Sequence, residues 1–272
     1  MKATASGRFL GFGFGLIVSS VFAAGSGMAL AAPTPAALTA FDSYIVQVES
    51  RLEQQHRSGR DFGKNFLVPE DAARLRAGEQ IIEQVPPPSG SDLPGAMLHH
   101  WRGTAFAPGV TAANFERLMK DFEAYPKVYA PQVIQTRILR HKDDDFQVRM
   151  RTRQKHVITV VLDMDLDIEF ARLDAGHGYS ISRSTQIAEI ESPGTSKERA
   201  LGPKENHGFL WRLNTYWSYE ERDGGLYMQI ETVSLSRAVP EGLAWAIKPF
   251  VESVPKESME FTLKSTCDSL RK

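Results

Sequence analysis

The sequence predicts an α+β protein in which an antiparallel sheet is covered by one long C-terminal helix, and three observations predict it. Between residues 97 and 237 the apolar positions largely alternate with polar ones at period two, the pattern of half-buried strands. Turn signals separate these runs, the strongest being Asp223-Gly224-Gly225, so neighbouring strands join as hairpins. Beyond Arg237 the alternation stops, and Gly242 to Leu270 is the only long apolar helical segment left to cover the sheet.

Composition sets the bounds. The chain has 272 residues, 42% hydrophobic and 10% aromatic, which is ample for a buried core. Its 32 basic and 33 acidic residues give a formal charge of −1, which excludes recognition of nucleic acid by bulk charge. Lys2 and Arg8, the apolar run Phe9 to Ala24 and the closing Ala29-Leu30-Ala31 have the order of a secretory signal peptide cleaved after Ala31. The run is shorter than the roughly 20 residues of a spanning helix, so the expected location is periplasmic or secreted. The single cysteine, Cys267, is far from that cleavage site and can form no internal disulfide, leaving the core to stabilise the fold alone.

The mature chain opens with an amphipathic helix from Pro35 to Arg57, where Leu38, Phe41, Tyr44, Ile45, Val48 and Leu52 fall on one face. A second helix is expected over Pro69 to Val85, and the Pro-rich stretch Pro86 to Ser91 reads as a linker. Residues 32–92 are therefore expected to form a helical appendage set apart from the main domain, residues 93–272. That domain begins with a strand from Met97 to Phe106. Thr111 then caps a helix bearing Phe115, Leu118, Met119 and Phe122, which ends at Tyr125-Pro126. Val133 to Arg140 is the next strand.

From Phe146 to Phe170 the alternation runs too long for one strand, so a turn is expected near Gln154 to Val157. In the resulting pair Arg149, Arg151 and Arg153 are expected opposite Asp163, Asp165 and Asp167, a salt-bridged wet face and not a metal site. Tyr179 to Glu191 is a strand, Ser192 to Gly208 a long loop, and His207 to Glu221 with Leu226 to Arg237 a hairpin rich in aromatics. In the C-terminal segment Pro249 and Pro255 lack the amide hydrogen, so two jointed pieces are expected.

This order of elements is similar to that of the START-like helix-grip superfamily, which includes the birch-pollen allergens, and in particular to a secreted bacterial branch of unassigned function. The residues that carry the resemblance are Trp101 to Pro126, opening Trp-Arg-Gly-Thr-Ala-Phe and closing Phe-Glu-Ala-Tyr-Pro, then Glu231-Thr-Val-Ser-Leu-Ser-Arg237 and Pro255-Lys-Glu-Ser-Met-Glu-Phe-Thr-Leu263. The resemblance implies a curved seven-stranded antiparallel sheet wrapped around the C-terminal helix. It also implies a cavity between them for an apolar or amphipathic small molecule such as a lipid, a sterol-like or a quinone-like compound. Transient membrane contact would accompany such a ligand.

The candidate cavity lining is Arg102, Met150, His156, Tyr179, Arg183, Trp211, Trp217, Tyr227, Glu231, Trp245, Phe250 and Phe261. The aromatics offer apolar walls with polar handles, and the strand-borne charges could orient a ligand oxygen. No Gly-x-Ser-x-Gly elbow, Gly-x-Gly-x-x-Gly turn, His-x-x-x-His or Cys-x-x-Cys pair occurs, so no cofactor, metal or catalytic residue is expected. His99 and His100 are neighbours on one strand and point to opposite faces. The alternatives are a polyketide-cyclase-like or hydratase-like enzyme using Arg183, Glu231, His156 or a tyrosine as acid or base, and an envelope interaction module working through the N-terminal helices.

Overall fold

The structure, a computed structural model, describes residues 32–57, 69–87, 93–155, 158–239 and 244–272, with side chains from 253 onward in the last stretch. The expected signal peptide lies outside these residues. The first helix forms where its periodicity places it, as α1 (Pro35–Arg57). The second expectation needs correction. Only α2 (Pro69–Arg76) is helical; Gly78, at φ +94°, turns the chain, and Ile81–Gln84 becomes a short strand, β1. It pairs antiparallel with Trp101 to Thr104.

The main strands follow: β2 (Ala96–Pro108), β3 (Val133–Lys142), β4 (Asp145–Lys155), β5 (Thr159–Arg172), β6 (His177–Glu191), β8 (Arg212–Arg222) and β9 (Gly225–Arg237). The two-residue β7 (Arg199–Ala200) pairs with the end of β6. Among the described residues the sheet thus has nine strands, eight of them in the order β1-β2-β9-β8-β6-β5-β4-β3 and β7 off that path beside β6, the expected seven plus two short ones. Between β2 and β3, Thr111 caps α3 (Ala112–Lys120) in a capping box with Asn114. The helix stops at Lys120, earlier than expected, and a 3-10 turn (Phe122–Ala124) and α4 (Tyr125–Val128) carry the chain to β3.

The C-terminal helix α5 runs from Ala244 to Leu270 without a break at Pro249 or Pro255, so it is one helix and not two jointed pieces. Inside a helix a proline removes one backbone hydrogen bond, a loss that the remaining ladder of a long helix can absorb without a break. Its C-terminal half seats on β2 at Gly103, where an added Cβ would stand 2.7 Å from both Leu263 Cδ1 and Met259 Sδ. Met259, Leu263 and Cys267 join Trp101, Ala105, Phe115, Trp217, Met228 and Ile230 in one core cluster. Phe261 reaches a second cluster built by β3, β4 and β5, including Val148, Met164, Leu166 and Ile168. One helix touching both ends of the strand order is the grip of a helix-grip fold.

The opposite face of the sheet is covered as well. Phe41, Tyr44, Ile45, Val48 and Leu52 of α1 pack on Trp211, Tyr216, Val233 and Leu235. Burying each such side chain is worth about 1.5–3 kcal/mol. The N-terminal helices are therefore no separate appendage: α1 lies within the same compact unit as the sheet, and Leu75 of α2 packs with Phe106 and Tyr227. Residues 88–92, most of the expected Pro-rich linker, lie outside the described ones.

The charged ladder forms with a shifted register. Arg149 faces Asp165 and Arg151 faces Asp163, each bidentate at 2.6–2.8 Å, but Asp167 faces Gln147 and Arg153 faces Val161. The segment after β6 is tied down: buried Glu189 accepts from the amides of His207 (2.9 Å) and Phe209 (3.0 Å) and from His207 Nδ1 (2.7 Å), and Arg151 binds Glu198 at 2.7 Å.

Candidate functional site

Because strand side chains alternate, each strand splits the candidate residues between the face gripped by α5 and the face under α1 and α2. The gripped face carries Met150 and Trp217, and Phe261 of α5 packs against it. The other face carries Arg102, Tyr179, Arg183, Trp211, Tyr227 and Glu231, which therefore do not line the space between sheet and helix. The physical reason is that both faces are covered, so period two reveals which residues share a face but not which face holds the cavity. His156 lies outside the described residues, as do the side chains of Trp245 and Phe250. His99 and His100 fall on opposite faces, His99 beside Ser236 (3.3 Å) and His100 under α1.

Under α1 the misplaced charges form a closed network. Glu231, 1% exposed, accepts from His100 Nε2 (2.6 Å), Arg102 Nε (3.0 Å) and the Arg51 guanidinium. Burial alone would raise its pKa; the His100 hydrogen bond and the fields of Arg51 and Arg102 outweigh burial and bring it down to about 2. Burial raises the Tyr44 pKa, and its hydroxyl shares a hydrogen bond with His100 Nδ1 (2.6 Å), while His100 Nε2 donates to the Glu231 carboxylate. Arg183 is held by Glu49 (2.8 and 3.0 Å), which also accepts from Tyr216. His56 stacks on Tyr179 with ring centroids 4.0 Å apart and meets Ser218 Oγ at 3.1 Å. Burial, with some help from Arg51, pushes its pKa down to about 4. These groups answer one another and pin the helix.

The gripped face is different. At the corner where β3 begins, β4 ends and α5 passes, a cleft of about 590 Å³ is lined by Pro131, Gln132, Arg153, Gln154, Lys155, Thr159, Glu257 and Phe261. Gln154 Nε2 donates to Ser258 Oγ (2.7 Å) and Gln132 Oε1 (3.3 Å), so strand and helix are joined beside the opening. Behind it Met150, Val160, Ile187, Leu210, Leu213 and Phe261 are only partly buried, an apolar surface left partly open. The periodicity of the strands marks these positions as apolar; what it cannot reveal is that they stay half-open.

A smaller space of about 320 Å³ lies at the far end, between α3 and the β5–β6 turn. It is saturated by ion pairs: Arg172 and the Tyr219 hydroxyl (2.5 Å) both bind Glu116, and Lys120 binds Asp144 at 2.6 Å. Among the described residues no cluster of three His, Cys, Asp or Glu could hold a metal.

No family model and no curated protein matches the chain. Solved structures resemble it at low identity. The STAR-related lipid transfer protein of Xanthomonas axonopodis is 15% identical, with a TM-score of 0.43 over 70% of this chain and 99% of that one. The Zhui aromatase/cyclase of a Streptomyces species is 11% identical, with a TM-score of 0.46 over 64% of this chain and 94% of that one. A START superfamily protein of Mycobacterium smegmatis is 14% identical, with a TM-score of 0.40 over 65% and 97%. Likenesses this distant carry neither ligand nor activity over to this chain.

Proposed function

We propose that the protein binds a hydrophobic or amphipathic small molecule between the gripped face of the sheet and α5, and that it does so outside the cytoplasm. The observation that carries this reading is the partly open apolar surface of Met150, Val160, Ile187, Leu213 and Phe261 next to the cleft. A contiguous, partly open apolar surface beside a cleft is a feature of ligand-binding grooves. The START-like resemblance of the sequence supports the same ligand class, and the N-terminal Lys2 to Ala31 pattern supports export.

The cyclase-like alternative draws less support. Two of its acid–base candidates, Arg183 and Glu231, are engaged under α1, on the far side of the sheet from the cleft. The interaction-module alternative is weakened in the same way, because the apolar face of α1 is spent on the sheet. Native mass spectrometry of the protein purified from its natural host tests the proposal: a retained apolar mass, released by organic solvent, is expected. Absence of any such mass, together with no uptake from a lipid panel, would overturn it. Fractionation of that host, with the mature N-terminus sequenced, tests export; an uncleaved chain in the cytoplasm would contradict it.

A further inference from the structure

The gripped face is divided into zones. Across β4 and β5 it is apolar, but where it crosses β6, β8 and β9 it becomes a row of hydroxyls. Ser182 stands opposite Thr215, Thr215 opposite Thr232, and Thr232 opposite Trp101. Ser234 lies beside the row, opposite Leu213 and His99. Their face is fixed by alternation: Thr215 is two residues from Trp217, and Thr232 is two from Ile230, both in the cluster that packs on α5. Adjacent members are about 5 Å apart, so one small molecule can span several of them.

Two features separate this row from an ordinary polar strip. Ser182, Thr215, Thr232 and Ser234 are half-buried, and none of their hydroxyls has a hydrogen-bond partner among the described residues. At the end of the row Trp101 is nine-tenths buried, and its indole N–H is a buried donor with no acceptor among the described residues. A buried donor left unmet costs about 1–3 kcal/mol, so such groups ordinarily have a partner. The row also carries no charge. The carboxylates on this face of β6 are taken: Glu189 by the amides of His207 and Phe209 and by the His207 ring, and Glu191 by Arg199. Arg153 and Lys155 alternate with Gln154 on β4 and so leave the strand on the side away from the row, although both line the cleft at its corner.

We infer that Ser182, Thr215, Thr232, Ser234 and Trp101 form the polar half of the binding site and select an uncharged ligand whose apolar skeleton carries carbonyl or hydroxyl oxygens. The skeleton lies on Met150, Val160, Leu213 and Phe261; the oxygens accept from the hydroxyl row and the indole. An anionic lipid or fatty acid would bring a charge to a row of uncharged hydroxyls, away from Arg153 and Lys155 in the cleft wall, and is selected against there. This rests on the pocket reading above and deepens it.

The test compares three fluorescent probes of one size: acetylanthracene (a neutral ketone), ethylanthracene (a hydrocarbon) and anthracene carboxylate (an anion). The wild-type protein is expected to bind the ketone best. Thr215→Val with Thr232→Val keeps the shape and strand preference of both positions, and should weaken the ketone roughly tenfold while leaving the hydrocarbon unchanged. Restoring a hydroxyl by Thr232→Ser in place of the valine should recover part of the loss. Thermal melting of each variant checks that the fold persists. Ketone and hydrocarbon bound equally, with no change in the double variant, would overturn the inference and leave the apolar pocket standing. Preferential binding of the carboxylate would overturn it too. Failure of all three probes to bind would remove the pocket itself, and the inference with it.

Discussion

Under α1 the sheet buries Glu231 and surrounds it with His100, Arg51 and Arg102, while Arg183 meets Glu49. On the other side of the same strands Thr215 and Thr232 are half-buried and meet nothing among the described residues. Residues next to each other in sequence, such as Glu231 and Thr232, thus belong to two different economies. One face pairs its charged groups within the protein, fixing where a helix lies; the other holds a row of hydroxyls with no hydrogen-bond partner among the described residues. Buried indole N–H groups without an acceptor among the described residues occur on both faces, at Trp211 and at Trp101, so the pairing of the charges is what distinguishes the two.

The comparison breaks most sharply at Glu231. Glu231→Ala leaves two guanidiniums and a histidine around an empty acceptor, and is expected to cost about 3–5 kcal/mol, read as a lowered urea midpoint. Probe binding on the gripped face should persist wherever the variant stays folded. A loss below about 1 kcal/mol would show that the network does not hold α1.

Acid should loosen the same face next. The His56 pKa is depressed to about 4 from 6.5, so between these values the unfolded chain binds a proton that the folded one refuses. Stability from this group is full above pH 6.5 and falls as pH drops to about 4, by a total on the order of 3 kcal/mol. Glu231, at about 2 against 4.5, adds stability that is present above pH 4.5 and lost as pH falls toward 2. Urea titrations from pH 7 to pH 4 should show the first decline, and His56→Phe should flatten it. An equal slope in that variant would remove His56 as its source.

On the gripped side, Gly103→Ala pushes a methyl against Leu263 and Met259, and overpacking of this kind costs about 1–3 kcal/mol. It should also lift α5 and alter probe affinity, which no change under α1 is expected to do. Unchanged stability and affinity would place the helix seat elsewhere. Smallest of all, Arg149→Ala on the wet ladder should cost at most about 1 kcal/mol, since Arg149 is 52% exposed and such pairs are screened. A larger loss would mean the ladder braces the sheet.

Much of the fold is legible in the sequence because its signals are local. The helix Pro35 to Arg57, the cap at Thr111 and the turn at Asp223-Gly224 each depend on a few neighbouring residues, and each forms as read. Where reading fails, the deciding contact is distant. Ile81 and Ile82 suit a helix face as well as a strand, and pairing with Gly103 and Thr104 decides for the strand; Gly78 was the available signal. The site was less legible still. Arg102, Arg183, Trp211 and Glu231 attract attention by size and charge, yet a helix far away in sequence claims them. Ser182, Thr215 and Thr232 look like ordinary strand residues until the register sets them in a row.

The most direct test of the account is amide chemical-shift mapping of isotopically labelled protein titrated with acetylanthracene. The predicted result is saturable shifts at Ser182, Thr215, Thr232, Met150 and Phe261, with His100, Glu231 and Arg183 unmoved. Shifts centred on the α1 face, or none at saturating probe, would contradict the claim that the gripped face is the binding surface.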